Sequence, residues 1–268
     1  MIVFDLDGTI LDNDLKISHN LIEICCDLKI TTKIVIATGR SVSDAIQYYR
    51  ILDLDTYLIC YNGAFIWHPL TKKVYQNYYM DQWREILKFV VCKRHELFIH
   101  NIIVSQKENT FLLNKHNDYL IDIMVDEKLP YDYICENDMI ELGNIHRIVL
   151  GVESEFRENI EKLIKLKFPI IDVFGWKGRS DVIDISLPNM NKWEAIKKVA
   201  KIENEQKEKI IVFGDARNDM EMIKNADVGI AVKNASVEVQ NVANYVTVNT
   251  NNEDGVAQFI INNSELFI

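Results

Sequence analysis

The stretch IVFDLDGT at residues 2–9 decides the fold, because it joins a short apolar strand to an acidic turn. An apolar run without polar interruption predicts a strand that is covered on both faces, as in a parallel sheet. Two other apolar runs end in the same manner, IVIATGR at residues 34–40 and IIVFGDARND at residues 210–219. In an open parallel sheet, ligands bind beyond the carboxyl ends of the strands. We therefore expect these three polar segments to converge on one site.

The order of the predicted elements indicates an α/β fold with a doubly wound, mainly parallel sheet. Strands and helices alternate in the first third of the chain, and this alternation implies right-handed crossovers. The elements predicted there are strands at 2–4, 34–37 and 57–60, helices that begin after Ser18 and Ser41, and a hairpin turn at Asn62-Gly63 before a further strand at 65–67. The last third repeats the pattern, with a helix over Trp193, Ile196 and Val199 and strands at 210–213, 228–232 and 245–248.

The middle of the chain differs from both ends, because it mixes hairpin-like strands with helices. A helix is predicted to begin near Asp81, and a strand follows at residues 97–105. Such a pattern indicates an α+β insertion in the α/β core. We place the first part of the core at residues 1–80, the inserted domain at 81–188 and the second part of the core at 189–268.

The composition limits the possible partners. The chain has 268 residues, a formal net charge of −10 and 48% hydrophobic residues, which is typical of a globular protein with a buried core. The acidic balance disfavours nucleic acid as a partner, since nucleic-acid binding relies on a basic face. No apolar run approaches the roughly 18 residues of a membrane-spanning helix. Because Asp5 interrupts the first apolar run, we expect neither an export signal nor a membrane partner.

The cysteines indicate a reducing compartment. The chain has five, an odd number, and none of them forms a C-x-x-C pair. A disulfide framework or a zinc site is therefore not expected. Free thiols are typical of the cytoplasm, where we expect this protein to work. The sequence carries no readable signal for the oligomeric state.

The acidic residues at the strand ends predict a metal site. Asp5, Asp7, Asp215 and Asp219 would repel one another in a shared pocket. Two unit charges about 4 Å apart cost about 4 kcal/mol at an effective dielectric constant near 20. A divalent cation relieves this repulsion, and a set of oxygen ligands without His or Cys favours Mg²⁺ over zinc. Because Mg²⁺ accepts phosphate oxygens as ligands, the site is predicted to act on phosphoryl groups.

The motifs taken together resemble a known superfamily. In chain order they are DLDGT at residues 5–9, Thr38, Lys192 and GDARND at residues 214–219. This series is similar to that of the haloacid dehalogenase (HAD) superfamily of aspartyl-phosphate phosphatases. The whole series carries the resemblance, because Asp-x-Asp-x-Thr alone occurs in many unrelated proteins.

Two further segments resemble the Cof-type branch of the superfamily. They are the turn NGA at residues 62–64 and the tail NEDGVA at residues 252–257. That branch carries a large α+β cap of type IIB after the third core strand, which agrees with the irregular middle of this chain. The resemblance implies a Rossmann-like core with an inserted cap. It also implies that the substrate is a small phosphorylated metabolite, most commonly a sugar phosphate.

The resemblance assigns a role to each matching residue. Asp5 would be the nucleophile that attacks phosphorus, and Asp7 would be the general acid and then the base for the hydrolytic water. Thr38 would donate a hydrogen bond to a phosphoryl oxygen, and Lys192 would offset the charge on Asp5. Mg²⁺ would be held by Asp5, by the backbone carbonyl of Asp7 and by Asp215, with Asp219 as a ligand or as support for one. The phosphate or the rest of the substrate would be contacted by the backbone of Leu6 and by Gly39, Asn218 and Arg40.

Several of these residues have structural interpretations as well. Asp-x-Asp-Gly is common in surface turns, acidic residues are enriched at helix N-termini, and most lysines are solvated. Arg40 lies where either a substrate contact or a surface arginine at a helix start is expected. Lys177 and Arg179 are candidates for substrate contacts from the cap, with solvated loop charges as the alternative.

Two positions depart from the pattern of the family. Trp193 follows the motif lysine, where the family usually has Gly. The segment VKNA at residues 232–235 has Lys233 where the Cof-type branch usually has a Met-Gly pair before Asn-Ala. Neither departure touches the pair Asp5 and Asp7, so both bear on substrate preference and not on the reaction.

Three functions fit these residues. The first is a Mg²⁺-dependent phosphatase of small phosphorylated metabolites. The second keeps the fold but is a phosphomutase or a biosynthetic phosphatase for one sugar phosphate. The third is a non-enzymatic sensor of phosphate or Mg²⁺, which would have no use for the acid/base residue Asp7. Dehalogenation is disfavoured, because that chemistry needs neither Asp7 nor a metal.

Overall fold

The computed structural model describes residues 1–107, 109–113, 131–175, 180–205 and 209–267. The chain forms two compact units. The first unit contains Met1–Arg40, Ala45–Asn77 and Asn191–Ile268, and the second contains Ser41–Asp44 and Tyr78–Met190. The domain boundaries that the sequence predicts stay a prediction.

Both units combine short strands with α-helices. The strands are β1 (Ile2–Phe4), β2 (Ile34–Ile36), β3 (Leu58–Cys60), β4 (Phe65–His68), β5 (Lys73–Asn77), β6 (Ile99–Gln106), β7 (Asn109–Leu112), β8 (Tyr131–Tyr133), β9 (Arg147–Val152), β10 (Asp172–Gly175), β11 (Val182–Ser186), β12 (Ile211–Gly214), β13 (Val228–Ala231) and β14 (Tyr245–Val246). The α-helices are α1 (His19–Leu28), α2 (Val42–Ile51), α3 (Trp83–Lys93), α4 (Glu136–Glu141), α5 (Arg157–Lys167), α6 (Lys192–Ile202), α7 (Met220–Asn225), α8 (Val237–Gln240) and α9 (Gly255–Asn262).

The first unit is built on a parallel sheet with the strand order β14-β13-β12-β1-β2. All four pairings are parallel. β1 lies between β12 and β2, so that Phe4 pairs with Phe213 on one side and with Ile36 on the other. The polar segments that follow these three strands therefore leave the sheet at the same edge. The predicted α/β fold with a mainly parallel sheet is confirmed.

Both faces of the parallel sheet are buried, which explains its uninterrupted apolar strands. Val3 and Val212 belong to an apolar cluster that includes Ile196 of α6. On the opposite face, the ring of Phe213 contacts Phe259 of α9, with ring centroids 5.9 Å apart. Burying a side chain of this size contributes about 1.5–3 kcal/mol. The strands are thus held rigidly at the edge where the polar segments begin.

The third strand forms the predicted hairpin with the next strand along the chain, but it is not a member of the parallel sheet as was expected. β3, β4 and β5 form a separate antiparallel sheet and do not extend the five-stranded one. An isolated parallel bridge between Ala37 and Ile59 connects β3 to the end of β2. Asn62 and Gly63 have positive φ angles of 55° and 104°, and this turn sends the chain straight back along β3. The short strand therefore makes most of its hydrogen bonds with the next strand along the chain.

Polar side chains begin the helices near the site. Ser18 caps α1 by accepting a hydrogen bond from the backbone of Leu21 at 3.1 Å, as its position in the sequence predicts. Asn191 caps α6 in the same way, since its side chain accepts a hydrogen bond from the backbone of Trp193 at 2.8 Å.

In the described part of the chain, no helix has both the length and the apolar character that a membrane crossing requires.

The second unit is an α+β structure, as predicted for the middle of the chain. Its six-stranded sheet has the order β10-β11-β9-β6-β7-β8 and is antiparallel except between β7 and β8. One sheet face packs on α3 and α5, with Ile86, Val90, Ile160 and Ile164 from the helices in one apolar cluster with the strands. This α+β unit and the α/β unit are the two parts of the predicted fold class.

Candidate active site

The loop after β1 places two aspartates at the edge of the parallel sheet. Asp5 is 4% exposed, and its backbone N–H donates a hydrogen bond to the carbonyl of Phe213 at 3.1 Å. The chain then folds back on itself, and the carbonyl of Leu6 accepts hydrogen bonds from the backbone N–H groups of Thr9, Ile10 and Leu11, the last at 3.0 Å. Gly8 enables this turn with a φ of +73°. A Cβ atom at Gly8 would lie 2.6 Å from a carboxylate oxygen of Asp215, so the loop packs directly on that residue.

Lys192 is the positively charged side chain between the buried carboxylates of the site. It is the first residue of α6, and its side chain is fully buried. Its Nζ donates hydrogen bonds to Oδ1 of Asp5 at 2.6 Å and to Oδ1 of Asp219 at 2.7 Å. An ammonium group between two buried carboxylates compensates part of their charge. The predicted contact between Lys192 and Asp5 is thus present in the structure.

Asp215 and Asp219 come from the segment after β12. Oδ2 of Asp219 accepts hydrogen bonds from the backbone N–H groups of Asp215 at 3.1 Å and of Ala216 at 3.0 Å. Asp219 is fully buried, whereas Asp215 is only partly so. Gly214 allows the close approach, because a Cβ atom there would lie 2.6 Å from the Cβ of Asp219. The segment is therefore a compact turn that aims two carboxylates at Asp5.

Three carboxylates form a group that could hold a metal ion. Asp5, Asp215 and Asp219 each offer one oxygen, and these oxygens all lie within 4.8 Å of one another. The Oγ1 atom of Thr9 lies 3.1 Å from Oδ2 of Asp5 and 3.3 Å from Oδ1 of Asp215, so it can donate to either. The sequence predicted this grouping. Its prediction for Asp7 concerns the backbone carbonyl and stays a prediction.

The crowding of negative charge shifts the pKa values of Asp5, Asp215 and Lys192. Burial, followed by the neighbouring Asp219, raises the pKa of Asp5 well above its usual value, although Lys192 opposes the shift. Burial and then Asp219 raise the pKa of Asp215 to about 7. Burial alone would lower the pKa of Lys192, but Asp219 and Asp5 outweigh it and the pKa stands above its usual value. One ammonium group thus does not balance three carboxylates, and a divalent cation would favour the ionised forms of Asp5 and Asp215.

Asp7 is paired with Arg40. The guanidinium group donates from Nε to Oδ2 of Asp7 at 2.8 Å and from a terminal nitrogen to Oδ1 at 2.6 Å, which is a bidentate pair. The side chain of Asp7 is half exposed, and that of Arg40 is largely buried. The guanidinium also lies over the ring of Tyr48, 5.3 Å from its centroid. Arg40 therefore fixes the direction of the Asp7 carboxylate, a contact that neither interpretation of its sequence position included.

Thr38, Gly39 and Asn218 meet around Asn62. Thr38 is buried, and its Oγ1 accepts a hydrogen bond from the backbone of Arg40 at 3.0 Å. Asn62 donates its backbone N–H to the carbonyl of Thr38 at 3.0 Å and accepts a hydrogen bond from the side chain of Asn218 at 2.9 Å. A Cβ atom at Gly39 would lie 3.1 Å from Oδ1 of Asn62. The structure thus brings these three predicted residues to one place.

Trp193 and Lys233, the two departures from the family pattern, differ in burial. Trp193 is partly buried and packs against the apolar cluster of the parallel sheet. Lys233 is exposed, and its backbone N–H donates to Oγ1 of Thr247 at 3.0 Å. Lys177 and Arg179, the candidates for contacts from the cap, lie outside the described residues.

Thr9, Asn62 and Asn234 contact the site residues without having been assigned a role from the sequence. Thr9 stands in the DLDGT motif, and its spacing from Asp5 was the available signal. Asn62 was interpreted only as a turn residue. Asn234 donates from its side chain to the carbonyl of Gly8 at 2.7 Å, and no pattern in a single sequence marks this contact over 226 residues.

Comparisons with known proteins agree with this geometry. The family model of haloacid dehalogenase-like hydrolases matches residues 2–260. The chain is 30% identical over 264 residues to the 5-amino-6-(5-phospho-D-ribitylamino)uracil phosphatase YitU of Bacillus subtilis, with 97% of this chain and 96% of that protein covered.

Solved structures share the fold at lower identity. A haloacid dehalogenase-like hydrolase from Bacteroides thetaiotaomicron superposes with a TM-score of 0.84 at 22% identity, covering 97% of this chain and 98% of that chain. The HAD subclass IIB sugar phosphatase BT4131 superposes with a TM-score of 0.78 at 21% identity, covering 100% of this chain and 99% of that chain. The chain therefore belongs to the haloacid dehalogenase-like hydrolases, as a phosphatase of the Cof-type branch.

Proposed function

We propose that this protein is a Mg²⁺-dependent phosphatase that hydrolyses small phosphorylated metabolites through an aspartyl-phosphate on Asp5. The observation that carries the proposal is the buried cluster in which Lys192 contacts both Asp5 and Asp219 while Asp215 completes a set of three carboxylates. A buried excess of negative charge is costly unless it binds a cation. The cluster lies beside a half-exposed carboxylate, Asp7, which suits proton transfer.

In the first step, a carboxylate oxygen of Asp5 attacks phosphorus as the bond to the leaving oxygen breaks. Lys192 favours the ionised form of Asp5 and stabilises the negative charge of the phosphoryl group. Asp7 gives its proton to the leaving oxygen. When Asp7 carries the proton, only its unprotonated oxygen accepts a hydrogen bond from Arg40, and this remaining contact holds the carboxyl group while the other oxygen delivers the proton.

In the second step, water hydrolyses the aspartyl-phosphate. Asp7, now ionised, accepts a proton from the water as the water oxygen attacks phosphorus. The bond between phosphorus and Asp5 breaks, which restores the carboxylate and releases inorganic phosphate. The buried hydroxyl of Thr9 can donate to the regenerated carboxylate, because its Oγ1 lies 3.1 Å from Oδ2 of Asp5. We assign Thr38, Gly39, Asn218 and the backbone of Leu6 to holding the phosphate oxygens.

The donor set fits Mg²⁺. Asp5, Asp215 and Asp219 supply oxygen atoms within reach of one ion, and this group contains no His or Cys. Burial and Asp219 raise the pKa values of Asp5 and Asp215, and a divalent cation held by these carboxylates would favour their ionised forms. We propose that they hold Mg²⁺ together with the backbone carbonyl of Asp7. When bound, the ion neutralises charge on the phosphoryl oxygens.

The substrate we propose is a sugar phosphate or a phosphorylated polyol. YitU, at 30% identity over nearly the whole chain, acts on a phosphorylated ribityl compound, and BT4131 is a sugar phosphatase. The identity to YitU also favours a second candidate, a biosynthetic phosphatase with one such substrate. A narrow preference for the ribityl phosphate over hexose phosphates would distinguish the second candidate from the first.

The test is a panel of phosphate monoesters assayed for phosphate release with and without Mg²⁺. We expect release that depends on Mg²⁺ and is abolished in Asp5→Asn, while this variant keeps the fold of the wild type in circular dichroism. Near-normal release by a contaminant-free preparation of Asp5→Asn would refute the nucleophile. Isomerised sugar phosphate without free phosphate would show a mutase instead.

We also propose a cytoplasmic location. Each of the five cysteines is a free thiol in the structure, which favours a reducing compartment. Fractionation of cells, with the protein detected by antibody, tests this location directly.

A further inference from the structure

The segment VKNA and Asn251, which directly precedes the tail motif NEDGVA, have no part in the proposed chemistry, yet both contact the loop that carries it. Asn234 donates from Nδ2 to the carbonyl of Gly8 at 2.7 Å. Its other side-chain atom, Oδ1, accepts the backbone N–H of Asn251 at 3.0 Å. Asn251 in turn donates from Nδ2 to the carbonyl of Leu11 at 2.8 Å. We call the pair Asn234 and Asn251 the asparagine clasp.

The chemistry of the amide explains why asparagine stands at residue 234. The carbonyl of Gly8 needs a donor, and the N–H of Asn251 needs an acceptor on the opposite side. A primary amide offers both in one rigid plane, whereas a carboxylate offers only acceptors and an aliphatic group offers neither. The side chain of Asn234 thus joins two segments that are 243 residues apart in the sequence.

Neighbouring contacts fix the tail against the same part of the chain. The backbone of Asn13 donates to Oδ1 of Asn252 at 2.7 Å. Asp254 accepts hydrogen bonds from the hydroxyl of Ser18 at 2.6 Å and from the side chain of Asn20 at 2.9 Å. The tail motif is therefore bound to the segment that follows the aspartate loop, at Asn13 and at the start of α1.

A displacement of Gly8 would reach the reacting groups. Gly8 directly follows Asp7, and Thr9 places its hydroxyl within hydrogen-bond distance of both Asp5 and Asp215. A shift of about 1 Å in a reacting group can lower an enzymatic rate by about a hundredfold. The contacts of the asparagine clasp fall at Gly8 and Leu11, on either side of Thr9.

We propose that Asn234 and Asn251 are positioning residues, which hold the loop of residues 5–11 in the geometry that phosphoryl transfer requires. The effect on catalysis rests on the proposed function, whereas the hold on the loop does not. The motif NEDGVA accordingly supports the active site indirectly, because its contacts with Asn13, Ser18 and Asn20 keep the adjoining Asn251 beside the loop.

The test compares Asn234→Leu with Asn263→Leu as a matched control. Asn263 is also partly buried and also donates from Nδ2 to a backbone carbonyl, that of Phe259 at 2.8 Å, but it lies at the end of α9. Both substitutions remove a neutral amide of similar size. The measurements are kcat and KM for 4-nitrophenyl phosphate with Mg²⁺, and hydrogen–deuterium exchange of the amides in residues 6–11.

For Asn234→Leu we expect kcat to fall at least about tenfold, because the nucleophile and the acid lose their alignment. The KM should change by less than about threefold, and the amides of Thr9 to Leu11 should exchange at least about tenfold faster. The control should match the wild type in all three. Asn251→Leu should act in the same direction, and the double variant should be less impaired than the product of the two effects, because both belong to one chain of hydrogen bonds.

Unchanged exchange in residues 6–11 of both single variants would overturn the clasp, whatever the activity. Faster exchange with wild-type kcat would overturn the positioning role, because the loop would then be free to move without consequence. An equal loss of kcat in Asn263→Leu would do the same, since it would reveal a general effect on the fold. If the wild type released no phosphate from any ester, the proposed function would fail, and the exchange data would still decide whether the clasp holds the loop.

Discussion

Replacing Lys192 by methionine tests the electrostatics of the site, because this substitution keeps the length of the side chain and removes its charge. Lys192 lies between Asp5 and Asp219, with Nζ–Oδ1 distances of 2.6 and 2.7 Å, and all three side chains are at most 6% exposed. Removing one partner of such a buried group costs about 3–5 kcal/mol, since the remaining carboxylates stay buried without compensation. We expect Lys192→Met to lose this amount of unfolding free energy at pH 7 without Mg²⁺.

The loss should depend on pH and on the metal. Burial and Asp219 already raise the pKa of Asp5, and Lys192 is the group that opposes them. Without Lys192 the pKa of Asp5 rises further above its unfolded value, so the stability that a proton confers is present at low pH and lost as the pH increases. The deficit of the variant should therefore be smaller at pH 5 than at pH 7. Excess Mg²⁺ should restore part of the stability at pH 7.

The assay is urea unfolding followed by circular dichroism, with kcat measured on the same preparations. We expect kcat to fall by about 10²–10³, the usual cost of a lost transition-state contact. Lys197→Met on the same helix is the control, because Lys197 forms only an exposed ion pair with Glu194 and should lose less than about 1 kcal/mol. Equal unfolding free energies for the two variants at pH 7 would refute the reasoning.

Three further predictions concern Arg40 and Gly8 at the site and the buried His146 of the second unit. Arg40→Lys should lower kcat by about tenfold with little change in unfolding free energy, since lysine cannot form the bidentate contact with Asp7; an unchanged kcat would contradict this. Gly8→Ala should lower kcat by at least about a hundredfold, because its φ is +73° and the new methyl group would collide with Asp215; wild-type kinetics would contradict that close packing. Burial lowers the pKa of His146 from 6.5 to about 4, so its unfolded form binds a proton first and stability falls as the pH drops from 6.5 to 4. His146→Phe should flatten this part of the urea-unfolding profile by about 1.4 kcal/mol per pH unit, and parallel profiles would contradict the shift.

The sequence predicted the convergence of the acidic residues because it depends on a general property of parallel sheets. Each of the apolar runs before Asp5, Thr38 and Asp215 ends in a polar segment, and strand ends meet at one edge wherever the strands are neighbours. The predicted preference for Mg²⁺ rested only on the residue types. The fold and the acidic cluster were therefore accessible from the sequence alone.

The contacts of Arg40 and Asn234 were not accessible in the same way. The position of Arg40 at a helix start left two directions open for a long side chain, and the structure shows a third, toward Asp7. Asn234 reaches Gly8 only because β13 and β1 flank β12 in the same sheet. The hairpin of β3 and β4 was predicted from Asn62-Gly63, but its separation from the parallel sheet was not, because pairing with the next strand competes with extension of that sheet and apolar character does not distinguish the two.

The most direct test of Asp5 as the nucleophile is chemical trapping of the phosphorylated residue. Asp7→Asn lacks the base for the second step, and 4-nitrophenyl phosphate has a leaving group that needs no acid, so the intermediate should accumulate. Borohydride reduces an acyl phosphate to an alcohol, and mass spectrometry of the digested protein then locates the change. We predict homoserine in place of Asp5, only after incubation with substrate and Mg²⁺. Reduction at another carboxylate, or none at any residue while nitrophenol is released in a burst, would contradict Asp5 as the nucleophile.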